Sequence, residues 1–266
     1  MKDTFDIYND KGNLFIEVIN AIKNKEFKIV YQPKFNINSM NIVGVEALIR
    51  WEKNNGDIVY PDLFIPQLEI NKDIYLIDYF VLENCVMKIN QWIKLKIKPI
   101  PIAINISKST IMRREFISKL KYFIEKYDIP EGIFELEITE RECFYKDIKN
   151  IAKKIKKIKE LGVRVSLDDF GSGNSNILAV ANIDFDYIKI DKSILDEIGN
   201  NKIDNILVGI KNIMDMNKVF VVAEGIETKY QYEKLLNYGY SYAQGYYFSK
   251  PITIEQLESK YLLKDS

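Results

Sequence analysis

PIAINIS (Pro101–Ser107), IFELEIT (Ile133–Thr139) and VRVSLD (Val163–Asp168) decide the fold. Each is a short apolar run of strand length that carries a polar or charged residue near its end. Between them lie Arg113–Tyr127 and Asp147–Gly162, where apolar residues recur at helical spacing. The beat continues downstream with strand Tyr187–Asp191, helix Ile203–Met216, strand Val219–Glu224, helix Lys229–Tyr238 and strand Tyr242–Phe248. Thr253–Leu262 reads as a short closing helix. Upstream, Lys28–Phe35 and Ile42–Trp51 read as strands joined by the Asn-rich turn NINSMN, hence an antiparallel hairpin. Ile74–Leu95 has helical periodicity. About eight strands, mostly separated by helices, predict an α/β fold, a TIM-like (β/α)8 barrel. A doubly wound sheet would alternate in the same way, but it gives no reason for chemistry after nearly every strand.

That chemistry is the second reading. The apolar runs carry, near their C-terminal ends, Glu46 and Arg50, Asn105, Glu137, Asp168 with Asp169, Lys189, Glu224 and Gln244. In a closed parallel barrel these ends converge on one face, where barrel active sites sit. Period-two alternation groups Glu46, Leu48 and Arg50 on one face of their strand and pairs Lys189 with Asp191. It also gives Glu135 the same parity as Glu137, so periodicity does not choose between them.

Composition narrows the chemistry. The chain has 266 residues, with 38 Lys+Arg against 38 Asp+Glu, two cysteines and no histidine. A 47% hydrophobic content is that of a globular chain. Zero formal charge argues against DNA or RNA as partner, which needs a basic surface. Without histidine there is no Ser-His-Asp or Cys-His triad, no His-ligated zinc and no imidazole base. Cys85 and Cys143 stand alone, as reduced thiols would in a cytoplasmic protein. The start MKDTFDIYNDKGN lacks the pattern of a signal peptide, and no run is long enough for a membrane helix. No linker or composition break divides the chain, so a single domain over 1–266 is expected, its core at about 12–260.

Glu46, Glu137, Asp168, Asp169 and Glu224 in one pocket would repel each other unless cations offset them. Carboxylates plus the Asn105 amide, without His or Cys, select Mg²⁺ or Mn²⁺, with Ca²⁺ a competitor. Six such ligands exceed what one Mg²⁺ takes from protein, so two ions bridged by one carboxylate are expected. That arrangement, with an adjacent Arg and Lys, favours hydrolysis of a phosphate ester by a metal-activated water.

At these residues the chain resembles the EAL domains, bacterial phosphodiesterases that linearise cyclic di-GMP to pGpG. GVEALIRW (Gly44–Trp51) is similar to their signature. YQP (Tyr31–Pro33), FIP (Phe64–Pro66), INIS (Ile104–Ser107), LEITE (Leu136–Glu140), LDDFGSG (Leu167–Gly173), IKID (Ile188–Asp191), AEGIET (Ala223–Thr228) and QGYYFSKP (Gln244–Pro251) follow in order around it. The resemblance implies a barrel whose first hairpin is antiparallel. It gives one metal to Glu46, Asn105, Glu137 and Asp168, and a second to Asp168, Asp169 and Glu224. It implies that Lys189 contacts the nucleophilic water, Arg50 a substrate phosphate, and Gln32, Leu48 and Gln244 the dinucleotide. Asp191 and Glu227 fall on motif positions beside the substrate. Glu140 matches the residue that pins the loop after DDFG, and Ca²⁺ would bind without supporting cleavage. Between Glu135 and Glu137 the motif chooses Glu137. GSGNSN (Gly171–Asn176) departs from members that carry a Tyr and a second Ser there. Members often dimerise near this loop, so a homodimer is expected. No cyclase, receiver or sensory motif accompanies the barrel, as for a stand-alone unit or an excised domain whose regulatory partners lie elsewhere.

Blander readings compete. Asp168-Asp169 alone would be a turn or a helix cap. Lys153, Lys154, Lys156, Lys157 and Lys159 flank a stripe of Ile151, Ile155, Ile158 and Leu161, so they form a solvated helix face. Tyr246 and Tyr247 are open between packing and guanine contact. The rival to the enzyme is a non-catalytic cyclic di-GMP receptor, whose degenerate relatives lose metal ligands that this chain keeps.

Overall fold

The structure is a computed structural model that describes residues 11–139, 148–172 and 177–263. Glu140, Cys143, Gly173, Asn174 and Asn176 lie outside the described residues. The chain begins with helix α1 (Lys11–Lys23), then a hairpin of β1 (Phe27–Asn36) and β2 (Asn41–Glu52), and the two-residue β3 (Ile58–Val59). Helices α2 (Pro61–Asn71) and α3 (Tyr75–Lys94) precede β4 (Ile102–Asn105). The units that follow are α4 (Lys108–Ile111), α5 (Phe116–Tyr127), β5 (Phe134–Thr139), α6 (Ile148–Lys159) and β6 (Arg164–Phe170). The last part comprises α7 (Ile177–Asn182), β7 (Tyr187–Ile190), α8 (Lys192–Leu195), α9 (Asn201–Met216), β8 (Phe220–Ala223), α10 (Lys229–Asn237), β9 (Tyr242–Ala243) and α11 (Ile254–Leu257).

The sheet closes on itself. Its order is β1-β9-β8-β7-β6-β5-β4-β2, with β2 returning to β1 and β3 hanging on β2. β1 runs antiparallel to both neighbours, while all other barrel contacts are parallel. The fold is the expected TIM-like barrel with an antiparallel first hairpin.

Alternation explains the two sides of the wall. Val45, Ala47 and Ile49, Ile102 and Ile104, Leu136 and Ile138, Val165 and Leu167, and Ile188 and Ile190 are buried beneath the helices. Their alternate neighbours Glu46, Glu137, Ser166, Asp168 and Lys189 are also buried, inside the barrel. A strand covered on both faces normally reads as continuously apolar. Here the interior is charged, which is why the runs alternate.

The helices follow their patterns. α6 buries Ile151, Ile155 and Ile158, as the lysine-flanked stripe predicts. Ser107 ends the third run early by accepting from Thr110 N as the cap of α4. The last strand is shorter than expected: after Ala243 the chain leaves the ladder, and Gly245 packs its backbone against Ile226. α1, α2, α4, α7 and α8 were not anticipated: α4, α7 and α8 are too short to show a period and α2 is interrupted by Pro66, whereas α1 does carry a helical stripe in Leu14, Val18 and Ala21. Among the described residues no helix is long and apolar enough to cross a membrane.

Candidate active site

The C-terminal ends of the strands gather the polar residues at one mouth. Register does this: β4 sets Asn105 beside Glu137 of β5, and β2 sets Glu46 beside Ala103 of β4. Thr139 stands beside Asp168. On β6 the pairing with β7 slips between Leu167 and Phe170, and Asp169 takes a left-handed backbone (φ 56°). Such a slip interrupts alternation, so two consecutive acids reach the same site. Carboxylate oxygens of Glu46, Glu137 and Asp168 lie within 4.8 Å of one another, and so do those of Asp168, Asp169 and Glu224. Asp168 belongs to both groups.

Lys189 sits at the centre, with 1% of its surface exposed. Its Nζ lies 2.8 Å from Glu137 Oε2, 2.8 Å from Glu224 Oε1, 3.0 Å from Asp168 Oδ1 and 3.2 Å from Glu46 Oε2. Glu46 also accepts from Asn105 Nδ2 at 2.9 Å and from Gln244 Nε2 at 2.6 Å. Beneath this layer, Lys34 Nζ reaches Glu137 Oε1 at 2.6 Å and Glu135 Oε1 at 3.2 Å. Lys34 was not singled out in the sequence. The signal was present: it stands two residues after Gln32 on β1, with the same parity.

Electrostatics show how crowded the cluster is. Burial raises Glu46, but Lys189 and Lys34, with the Gln244 and Asn105 amides, outweigh it and hold its carboxyl down at about 2. Burial and the charge of Glu46 push Glu137 up to about 8 despite both lysines. Burial likewise drives Glu224 well above the usual carboxylate range, with Asp168 among its repulsive neighbours. Burial works against the Lys189 ammonium, but Asp168, Glu137 and Glu224 raise its pKa well above normal. Two lysines therefore do not let every acid ionise. Oε1 of Glu224 is buried and meets Lys189 at an angle that makes no hydrogen bond. Hard oxygen donors in excess of the positive charge, in two groups sharing Asp168, fit divalent cations of the Mg²⁺, Mn²⁺ and Ca²⁺ class.

Beside the cluster a groove of about 250 Å³ runs between the end of β2 and helices α2 and α3. Leu48, Arg50, Ile65, Pro66 and Asn105 line it, with Asp78 on its inner wall. Arg50 Nη1 donates to the carbonyl of Ile49 at 2.7 Å. Gln32 is buried and donates to the carbonyl of Ser249. Asp191 and Glu227 stand outside the cluster. Asp191 caps α8 by accepting from Ser193 N, and Glu227 pairs with Lys192 in the open. Glu135 faces the opposite end of the barrel, in a cavity of about 310 Å³ shared with Arg164 and Tyr187. Tyr247 stacks on Tyr232 (ring centroids 5.4 Å apart), whereas Tyr246 is exposed beside Lys250.

The family profile of the EAL domain matches residues 17–251. The signaling protein YkoW of Bacillus subtilis is 33% identical over 240 residues, covering 90% of this chain and 30% of that protein. The cyclic di-GMP phosphodiesterase PA2567 of Pseudomonas aeruginosa is 31% identical over 247 residues, covering 92% and 42%. This chain thus spans less than half the length of either relative. The solved structure of the EAL enzyme Bd1971, with cAMP and cyclic-di-GMP bound, superposes with a TM-score of 0.85 at 28% identity. It covers 94% of this chain and 68% of its own.

Proposed function

The chain belongs to the EAL domain family, and on that premise we propose that it hydrolyses cyclic di-GMP to linear pGpG with divalent cations at the barrel mouth. The observation that carries this reading is the pair of carboxylate groups sharing Asp168 around the buried Lys189. Relatives named as cyclic di-GMP phosphodiesterases support the substrate. Glu46, Asn105, Glu137 and Asp168 would hold one Mg²⁺ or Mn²⁺, and Asp168, Asp169 and Glu224 a second. Ions so bound supply Lewis-acid stabilisation of the phosphoryl oxygens and lower the pKa of water.

The chain's own groups do the rest. Lys189 donates to the attacking water and holds it in line with phosphorus. Arg50 presents its guanidinium to a phosphate oxygen at the groove's rim. Leu48, Gln32 and Gln244 line the bed for the dinucleotide. Asp191 and Glu227 brace the turns after β7 and β8 at the substrate's edge. The product pGpG keeps its phosphate on the 5′ oxygen. The bond that breaks is therefore P–O3′, a water oxygen joins phosphorus, and a proton ends on the departing 3′ oxygen. Exposed Ile177 and Leu178 on α7 suit the homodimer expected beside the loop after Asp168-Asp169.

Purified protein incubated with cyclic di-GMP and Mg²⁺ or Mn²⁺ should yield pGpG by chromatography and mass spectrometry, with EDTA or Ca²⁺ stopping it. Tight binding in EDTA with no turnover in Mg²⁺ or Mn²⁺ would make the protein a receptor instead.

A further inference from the structure

We infer that Lys34 is a positioning residue for Glu137: it takes one carboxylate oxygen from inside the barrel, so that the other is presented to the mouth. The inference rests on the metal-dependent reading above. Glu137 divides its oxygens by direction. Oε1 accepts from Lys34 Nζ at 2.6 Å, and Oε2 accepts from Lys189 Nζ at 2.8 Å. Lys34 is itself held from below, since its Nζ also donates to Glu135 Oε1 at 3.2 Å. The result is a column of alternating sign, Lys189–Glu137–Lys34–Glu135, running down the barrel axis. Its members are 1%, 0%, 6% and 6% exposed.

Each link limits the next. Glu135 lies one layer below Glu137 on β5, so it keeps the Lys34 ammonium from swinging away. Lys34 in turn fixes the torsions of Glu137, a side chain that otherwise spreads over several rotamers. A ligand set is effective when its members are held by neighbours that do not themselves touch the ion. The side-chain bonds of Lys34 go to Glu137 and Glu135, so its contact with the ligand set is made through Glu137, while its charge also reaches Glu46.

Charge and orientation give opposite signs when Lys34 is removed. A nearby cation repels a second cation, so its loss would strengthen Mn²⁺ binding if charge were all that mattered. Loss of the anchor weakens binding. Calorimetric titration of the full chain with Mn²⁺ separates the two. Glu135→Gln should bind Mn²⁺ within about threefold of wild type, because the glutamine amide oxygen can still accept from Lys34 and leave Glu137 anchored. The double variant K34M/E135Q removes one buried charge of each sign and should bind about 10–100-fold more weakly. Its kcat should fall while KM for cyclic di-GMP stays within about threefold. Equal or tighter Mn²⁺ binding by the double variant, or a tenfold loss in Glu135→Gln alone, overturns the inference. If the double variant does not melt cooperatively, Lys34→Gln replaces it under the same criterion. Wild-type protein that binds no Mn²⁺ would instead defeat the functional reading.

Discussion

Gln244 and Glu46 stand 198 residues apart, yet Gln244 Nε2 donates to Glu46 Oε2 at 2.6 Å across the mouth of the barrel. The bond joins the turn after β9 to β2. It also leaves Glu46 with a fixed carboxylate plane, because Asn105 Nδ2 takes the other oxygen.

Gln244→Leu removes that donor and leaves Glu46 Oε2 with Lys189 alone, at 3.2 Å. Steady-state kinetics should show kcat/KM lower by about 10–100-fold, with cooperative melting retained. Full activity in this variant would show that Glu46 needs no second anchor.

Lys189→Met withdraws the one ammonium shared by Glu46, Glu137, Asp168 and Glu224. Leaving buried acids without their partner costs about 3–5 kcal/mol in EDTA. Ca²⁺ should therefore raise the melting temperature more in the variant than in wild type. Equal Ca²⁺ shifts in both proteins would mean that the ammonium does not offset the cluster. Turnover in Mn²⁺ should drop further than nucleotide affinity does.

Asp78 adds a pH dependence of its own, away from the acid cluster. Burial pushes its carboxyl up to about 6, against hydrogen bonds from Thr110 and from the Ser107 N–H. Its folded pKa lies above the ordinary aspartate value of 3.8, so the native state favours the proton. The associated stability is present below about 4 and is lost as pH rises through about 6. Two pKa units correspond to about 3 kcal/mol. Asp78→Asn should thus be more stable than wild type at pH 8 by up to about that amount, and little different at pH 4. Urea unfolding at the two values checks it; a gap independent of pH would refute it.

Gly245 has no room for a side chain. A Cβ there would overlap the backbone N and O of Ile226. Gly245→Ala should destabilise by about 3 kcal/mol or more, since neither backbone can yield. It should also displace Gln244 and reduce activity. A variant that melts like wild type would show that the turn can move.

Much of this was legible along the chain. Apolar runs broken by helical periods specify strands and helices, and a polar residue near the end of most runs specifies a mouth. The face of each residue was legible only as parity. Glu135 and Glu137 share that parity, and it took the neighbours to separate them: Ala103 beside the first, Asn105 beside the second. Lys34 escaped notice because a lysine inside a strand normally points to water, and only closure of the sheet turns it inward.

The amino-acid order by itself determined the barrel, its antiparallel opening hairpin and an oxygen-only donor chemistry, because these depend on local period and residue type. Tertiary structure decided which acids meet. Simple alternation sends Asp168 and Asp169 to opposite faces, and the slip of register at β6 with φ 56° at Asp169 brings them together. It also decided that Asp191 caps its own α8, that Glu227 reaches across to Lys192 of α8, and that Lys34 divides Glu137 between two layers. Closing a sheet sets residues far apart in sequence within hydrogen-bond reach, and hydrogen bonds and charge act only across such short distances.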